Sequence, residues 1–205
     1  MGLLIACNKD DDFISQPVKP ISSDTIVTPV FDQNDFPMDV GNWWRYRVVD
    51  SNFGTIDTLL ISVDRVLDIN ESKFLCNLTL YGEIVDSSVV TINADSLVYD
   101  GLLSFYSYFG EFKLKFPFQV DDTWRGFFIQ DTVRAISHVE DLTYGGVLYP
   151  SIFSLKRAFF IDNNYSLVQF MLIAPNIGVV NQSVDLFDNG NVQSQNFGLI
   201  DYHLE

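Results

Sequence analysis

Positive charge is scarce in this chain. Its 205 residues carry 12 Lys and Arg against 27 Asp and Glu, a net charge of −15. Nucleic-acid binding needs clustered cations to neutralise phosphates, so this balance argues against it. Attraction to anionic lipid headgroups is disfavoured on the same ground, and a well-hydrated exterior is favoured. Cysteine is almost missing. Cys7 and Cys76 are the only two, too few for a secreted disulfide framework. Long apolar runs are missing too. The most apolar stretch, Leu167 to Ala174, is far shorter than the about 20 residues of a membrane-spanning helix.

The signatures of common chemistries are also lacking. The two histidines, His138 and His203, stand in no metal-ligand spacing. There is no Gly-x-Ser-x-Gly elbow, Walker loop or Gly-x-Gly-x-x-Gly fingerprint. Asp10-Asp11-Asp12, Asp121-Asp122 and Asp32-Gln33-Asn34-Asp35 are oxygen-rich, but none has the spaced ligands of a calcium loop. We therefore expect no catalytic residue, no metal and no cofactor. Carboxylates converging from distant strands, as in glycoside hydrolases, leave no such local signature, so a hydrolase stays open as an alternative.

Aromatic residues are plentiful, at 15% with 18 Phe and 9 Tyr. Such side chains suit half-buried pleated surfaces, which leans the chain towards β structure. Turn signals divide it accordingly. Trp43–Asp50 and Thr55–Asp64 flank Ser51-Asn52-Phe53-Gly54, and Asn70-Glu71-Ser72 precedes a strand over Lys73–Tyr81. Alternation along that strand puts Phe74, Cys76, Leu78 and Leu80 on one face, which predicts a buried free thiol at Cys76. Ile152–Ile161 and Leu167–Ala174 flank Asp162-Asn163-Asn164, and Val184–Phe187 and Val192–Phe197 flank Asp188-Asn189-Gly190. The last is the strongest hairpin signal in the chain. The expectation is an all-β fold of about ten strands, an antiparallel sandwich or a half-open barrel. It occupies residues 36–205, after a Pro-containing acidic tether over 8–35 whose root-mean-square span is roughly 30 Å if flexible.

One element recurs. Phe36-Pro37-Met38-Asp39-Val40-Gly41-Asn42-Trp43-Trp44-Arg45 aligns with Phe116-Pro117-Phe118-Gln119-Val120-Asp121-Asp122-Thr123-Trp124-Arg125, identical at five of ten positions and offset by 80 residues. Each copy predicts a proline bend, a turn at Gly41-Asn42 or Asp121-Asp122, and a strand opened by tryptophan. The spacing is too long for a solenoid and predicts two similar halves of one sheet system.

The N-terminus carries a processing signal. Leu4-Ile5-Ala6-Cys7 resembles the lipobox of bacterial lipoproteins, in which a small residue precedes a cysteine whose thiol receives diacylglycerol. The resemblance makes Cys7 the lipidation site and residues 1–7 the end of a signal. A full signal has a basic start and an apolar stretch of roughly 7–15 residues, so true translation is expected to begin upstream. Asn8-Lys9-Asp10-Asp11-Asp12 resembles the acidic stretch that sends Bacteroidota-type lipoproteins to the outer leaflet. Asp24-Thr25-Ile26 resembles an O-glycosylation site of the same group. Phe36–Tyr46, the second Pro-x-x-Val-x-Asp-x-Trp, and Ala174-Pro175-Asn176-Ile177-Gly178-Val179-Val180 together resemble a family of small Bacteroidota-type surface or outer-membrane lipoproteins. The resemblance implies a β fold and a lipid-anchored place in the outer membrane, facing outward or, alternatively, towards the periplasm. It implies no activity.

The leading expectation is a non-catalytic binder of a glycan or apolar molecule at the envelope. Tyr106 and Tyr108 alternate with Phe105, Ser107 and Phe109, and with Trp43, Trp44 and Trp124 they are candidate ligand platforms, having large faces and a polar handle. The alternative reading of these aromatics is core packing. An alternative function is a structural component of an envelope complex, with a protein partner.

Overall fold

The computed structural model describes residues 28–51, 54–99, 112–126, 130–160 and 165–205. The domain is all-β: its main sheet has twelve antiparallel strands and curls into a nearly closed barrel. In chain order the strands are β1 Val30–Phe31, β2 Trp43–Asp50, β3 Gly54–Asp68, β4 Lys73–Leu80, β5 Glu83–Asn93, β6 Ser96–Tyr99 and β7 Phe112–Lys115. They continue as β8 Phe118–Gln119, β9 Thr123–Arg125, β10 Asp131–Tyr144, β11 Val147–Phe160, β12 Tyr165–Ala174, β13 Gly178–Asp188 and β14 Asn191–His203. Fourteen described strands exceed the expected ten or so. The surplus is mostly strands of two to four residues, too short to show an alternating pattern.

Strand order exposes a duplication. The sheet runs β7-β6-β5-β4-β3-β2-β14-β13-β12-β11-β10-β9. It is two six-stranded meanders, β2–β7 and β9–β14, joined through the β2–β14 ladder. Each meander opens with one copy of the repeated element. Gly41 (φ 100°) and Asp121 (φ 73°) occupy the same left-handed turn position. Asn42 N–H donates to Asp39 O at 3.1 Å, and Asp122 N–H to Gln119 O at 3.1 Å. Gly41 and Asn42 exchange bonds with Val63 of β3 (3.0 and 2.9 Å), as Asp121 and Asp122 do with Ala135 of β10 (both 2.9 Å). The tryptophans that follow both point inward. Trp44 Nε1–H donates to Ile177 O at 2.6 Å and Trp124 Nε1–H to Lys113 O at 2.9 Å. The second bond crosses from edge strand β9 to edge strand β7, spanning the seam of the barrel.

Alternation fills the interior. Trp44, Tyr46 and Val48 from β2, Leu59, Ile61 and Val63 from β3, and Phe197 and Leu199 from β14 belong to one buried cluster. Each such side chain contributes about 1.5–3 kcal/mol of burial. Cys76 lies in this cluster as a buried free thiol, with Phe74, Leu78 and Leu80 packed against it. The short β1–β8 ribbon carries Phe31 and Phe118 into the core, stacked at 5.1 Å, with Phe153 edge-on to both. The family-like turn Ala174–Val180 joins β12 to β13. Gly178 (φ 93°) lies beside the Trp44 ring, where a Cβ would stand 3.6 Å from the indole nitrogen.

Buried polar groups divide unevenly. Asp131 and Arg157 form a buried bidentate pair at 2.9 and 2.8 Å. Gln169, Gln182 and Gln195 point inward from three adjacent strands, and both side-chain polar atoms of Gln169 and Gln182 have no hydrogen-bond partner.

Candidate functional site: a groove beneath the β10–β11 arm

The hairpin β10–β11 outgrows the sheet. β11 pairs with β12 only from Phe153 onward, yet it pairs with β10 back to Val147. A register shift between Ala135 and Ser137 marks where β10 departs from regular pairing. The residues beyond form an arm, Val139–Tyr144 paired with Val147–Ile152. Its two-residue tip is Gly145-Gly146, both at positive φ (59° and 85°), as the tight hairpin turn requires.

The arm lies across the outside of the barrel. Neighbouring residues of β12 and β13 show this, because Ile173 and Val179 enter the main core while Leu172, Ala174 and Val180 join a second cluster with Leu142, Tyr144, Tyr149 and Ile152 of the arm. Tyr144 Oη accepts from Asn181 Nδ2 of β13. The same amide donates to Asn196 Oδ1 (3.2 Å) and Phe197 O (3.3 Å) of β14. Gly198 of β14 lies beneath the Tyr144 hydroxyl. A Cβ there would stand 3.5 Å from Tyr144 Oη.

Between arm and sheet lies a cavity of about 750 Å³. Tyr144, Val147 and Tyr149 form one wall, and Arg47, Val49, Asn196, Ile200, Asp201 and Tyr202 the other. A register shift between Leu199 and Asp201 at the β14–β2 ladder places a bulge at this wall, a device that re-aims side chains. Tyr202 and Ile200 are exposed, whereas Tyr149 is buried. Burial pushes the Tyr149 phenol above its ordinary range, and the neighbouring Tyr202 and Tyr144 phenols act in the same direction. Three phenol groups thus converge with a guanidinium, a carboxamide and a carboxylate. Aromatic faces stack on apolar ligand surfaces, and the polar groups supply directional donors and acceptors.

The predicted platform residues take other places. Trp44 and Trp124 belong to the core, each with its indole N–H bonded inside the fold, and neither faces this groove. The inward faces of β2 and β9 claim them, so these two follow the alternative reading of core packing. Trp43 points outward and is half-buried, stacked on His203 at 6.2 Å with the Arg45 guanidinium 5.2 Å over its ring. Cys7, Tyr106 and Tyr108 lie outside the described residues. The groove tyrosines Tyr144, Tyr149 and Tyr202 are not among the platform residues expected from the sequence. Tyr144-Gly145-Gly146-Val147 is itself a two-residue hairpin signal, and it marks the arm.

Other chemistry is sparse among the described residues. His138 Nε2 lies 2.9 Å from Ser151 Oγ across the arm. Among the described hydrogen bonds no carboxylate orients the other ring nitrogen, so the contact lacks the third member of a triad. Among the described residues no group of three or more His, Cys, Asp and Glu could hold a metal.

No protein-family model matches the chain, and no curated protein matches its sequence. Two solved structures resemble it. One is a Bacteroides fragilis NCTC 9343 protein of YmcC-like fold, inferred to be exported, 12% identical, with a TM-score of 0.52 over 82% of this chain and 98% of that one. The other is a Parabacteroides distasonis ATCC 8503 protein inferred to be a lipoprotein, 14% identical, with a TM-score of 0.47 over 82% and 97%. The first likeness is one of fold: this chain is similar in architecture to a YmcC-like protein.

Proposed function

We propose that the chain is an exported lipoprotein, anchored through Cys7 to the outer membrane and facing outward, whose β domain binds a glycan without catalysis. The observation that carries the binding reading is the arm groove, in which Tyr144, Tyr149 and Tyr202 converge with Arg47, Asn196 and Asp201. A sugar offers apolar ring faces to the phenol rings and hydroxyls to the polar groups, and the groove supplies both kinds of contact. The anchoring reading rests on Leu4-Ile5-Ala6-Cys7 and Lys9-Asp10-Asp11-Asp12. The export inferred for the Bacteroides fragilis protein of like fold accords with it.

A glycan array followed by titration of any hit tests the binding. Tyr202 is exposed, so Tyr202→Ala leaves the core untouched and should weaken the hit about tenfold, a loss of about 1.4 kcal/mol. An array without hits, or equal affinity of the variant, would overturn the reading. Anchoring is tested apart from it. Cys7→Ala, expressed with a full signal peptide, should move the protein from membranes to the soluble fraction.

A further inference from the structure

A second cavity lies at the end of the barrel. It encloses about 750 Å³ between the Gln33–Asp35 3-10 turn, the first copy of the repeated turn, the β4 and β5 ends, and Leu204-Glu205. Phe36, Met38, Phe74, Ile92 and Leu204, all half-buried against the core, give it an apolar lining. Asn42 lines it too and is fully buried. Its Oδ1 accepts from Glu205 N–H at 2.8 Å, while its Nδ2 has no hydrogen-bond partner. A buried donor left unpaired costs about 1–3 kcal/mol, which an acceptor brought by a ligand offsets. The charged side chains of the lining are Asp39 and Glu205, both exposed carboxylates, with no Lys, Arg or His among the lining residues.

We propose that this cavity binds a small cationic amphiphile that carries a carbonyl acceptor. The apolar body lies on the Phe36–Phe74 lining, the carbonyl accepts from Asn42 Nδ2, and a protonated amine faces Asp39 and Glu205. An anionic amphiphile is disfavoured, because both carboxylates repel it and no cation of the lining compensates. The site shares no residue with the arm groove, so the two stand or fall separately.

Three probes of one chain length separate the terms: N-octanoyl-ethylenediamine, octanamide and octanoate. Each is titrated into the full chain while the Asn42 side-chain amide resonances are followed by NMR. The cationic amide should bind most tightly, octanamide less, and octanoate least, and both amides should shift the Asn42 resonances. Asp39→Asn should weaken the cationic amide about threefold, as expected for an exposed charge pair, and leave octanamide unchanged. Octanoate binding as tightly as the cationic amide would overturn the proposal. So would absence of binding by all three, Asn42 resonances that stay fixed at saturation, or an Asp39→Asn variant with unchanged preference.

Discussion

The two meanders share a strand order and an opening turn, yet they have diverged in what they bury and what they project. Among the described residues, the first, β2–β7 with its opening turn, buries mostly small polar groups: Asn42, Asp50, Ser88 and Ser96. The second, β9–β14, buries Asp131, Arg157, Gln169, Gln182 and Gln195. The first pairs its long hairpin β3–β4 to β5 along the full length of β4, from Lys73 to Leu80. The second lets β10–β11 outrun β12 and fold over the outside. The groove therefore belongs to an asymmetry of strand length rather than to the shared architecture. Duplicated framework residues hold the barrel, and the unduplicated arm adds a surface.

The ion pair is the sharpest way to break this comparison. Asp131→Ala leaves the Arg157 guanidinium buried without its carboxylate, which should cost about 3–5 kcal/mol, read as a fall in the denaturant midpoint. The double variant Asp131→Leu with Arg157→Met should recover most of that loss. An unchanged midpoint in Asp131→Ala would mean that the second half tolerates a buried cation without its carboxylate. In the first half, burial pushes the Cys76 thiol pKa up from 9.0 to about 12. The folded thiol keeps its proton where the unfolded one releases it. Stability should therefore fall as pH rises from 9 towards about 12, and Cys76→Ala should flatten that part of the profile.

Much of this framework was legible in the sequence. The expected strand Trp43–Asp50 is β2, and Asp188-Asn189-Gly190 lies at the β13–β14 turn, with Asn189 and Gly190 both at positive φ. The repeat was visible because turn and tryptophan positions answer to local backbone chemistry, which leaves residue signatures. The arm was not. Gly145-Gly146 signals its tip, but that the hairpin lies over the outside of the barrel is set by contacts with β12 and β13, a long-range property. Nor could spacing say which tryptophan of Trp43-Trp44 faces inward. That follows from the β2 register with β3 and β14, a long-range property.

The two framework tryptophans offer a finer comparison. Trp44→Phe and Trp124→Phe each remove one indole donor from a backbone carbonyl, and each should cost about 1–3 kcal/mol. Their local effects should differ. Trp124 spans the β7–β9 seam, so Trp124→Phe should speed amide exchange in Phe112–Lys115 well beyond the global change. Trp44 donates to the turn at Ile177, well inside the bonded part of the sheet, and its loss should leave those amides at the global rate. Equal exchange in both variants would show that the seam is held by something other than the indole.

The smallest effect concerns Gln182, and its sign is what matters. Its carboxamide is fully buried beside Tyr46, Leu59, Ile61, Val179 and Phe197, and both polar atoms lack partners. An unpartnered buried amide is a net cost, so Gln182→Met, close in volume, should stabilise the domain by about 1 kcal/mol. The enclosed space beside it is about 10 Å³, at the lower limit for one water. The Tyr46 hydroxyl donates to Val179 O at 2.8 Å. If a water bridges Tyr46 and Gln182, the methionine variant should instead be destabilised, and a long-lived water contact to the Gln182 amide should appear in NMR of the parent. Thermal melts of the two proteins decide between these signs. They thereby decide whether the second half's buried glutamines are unpaired or hydrated.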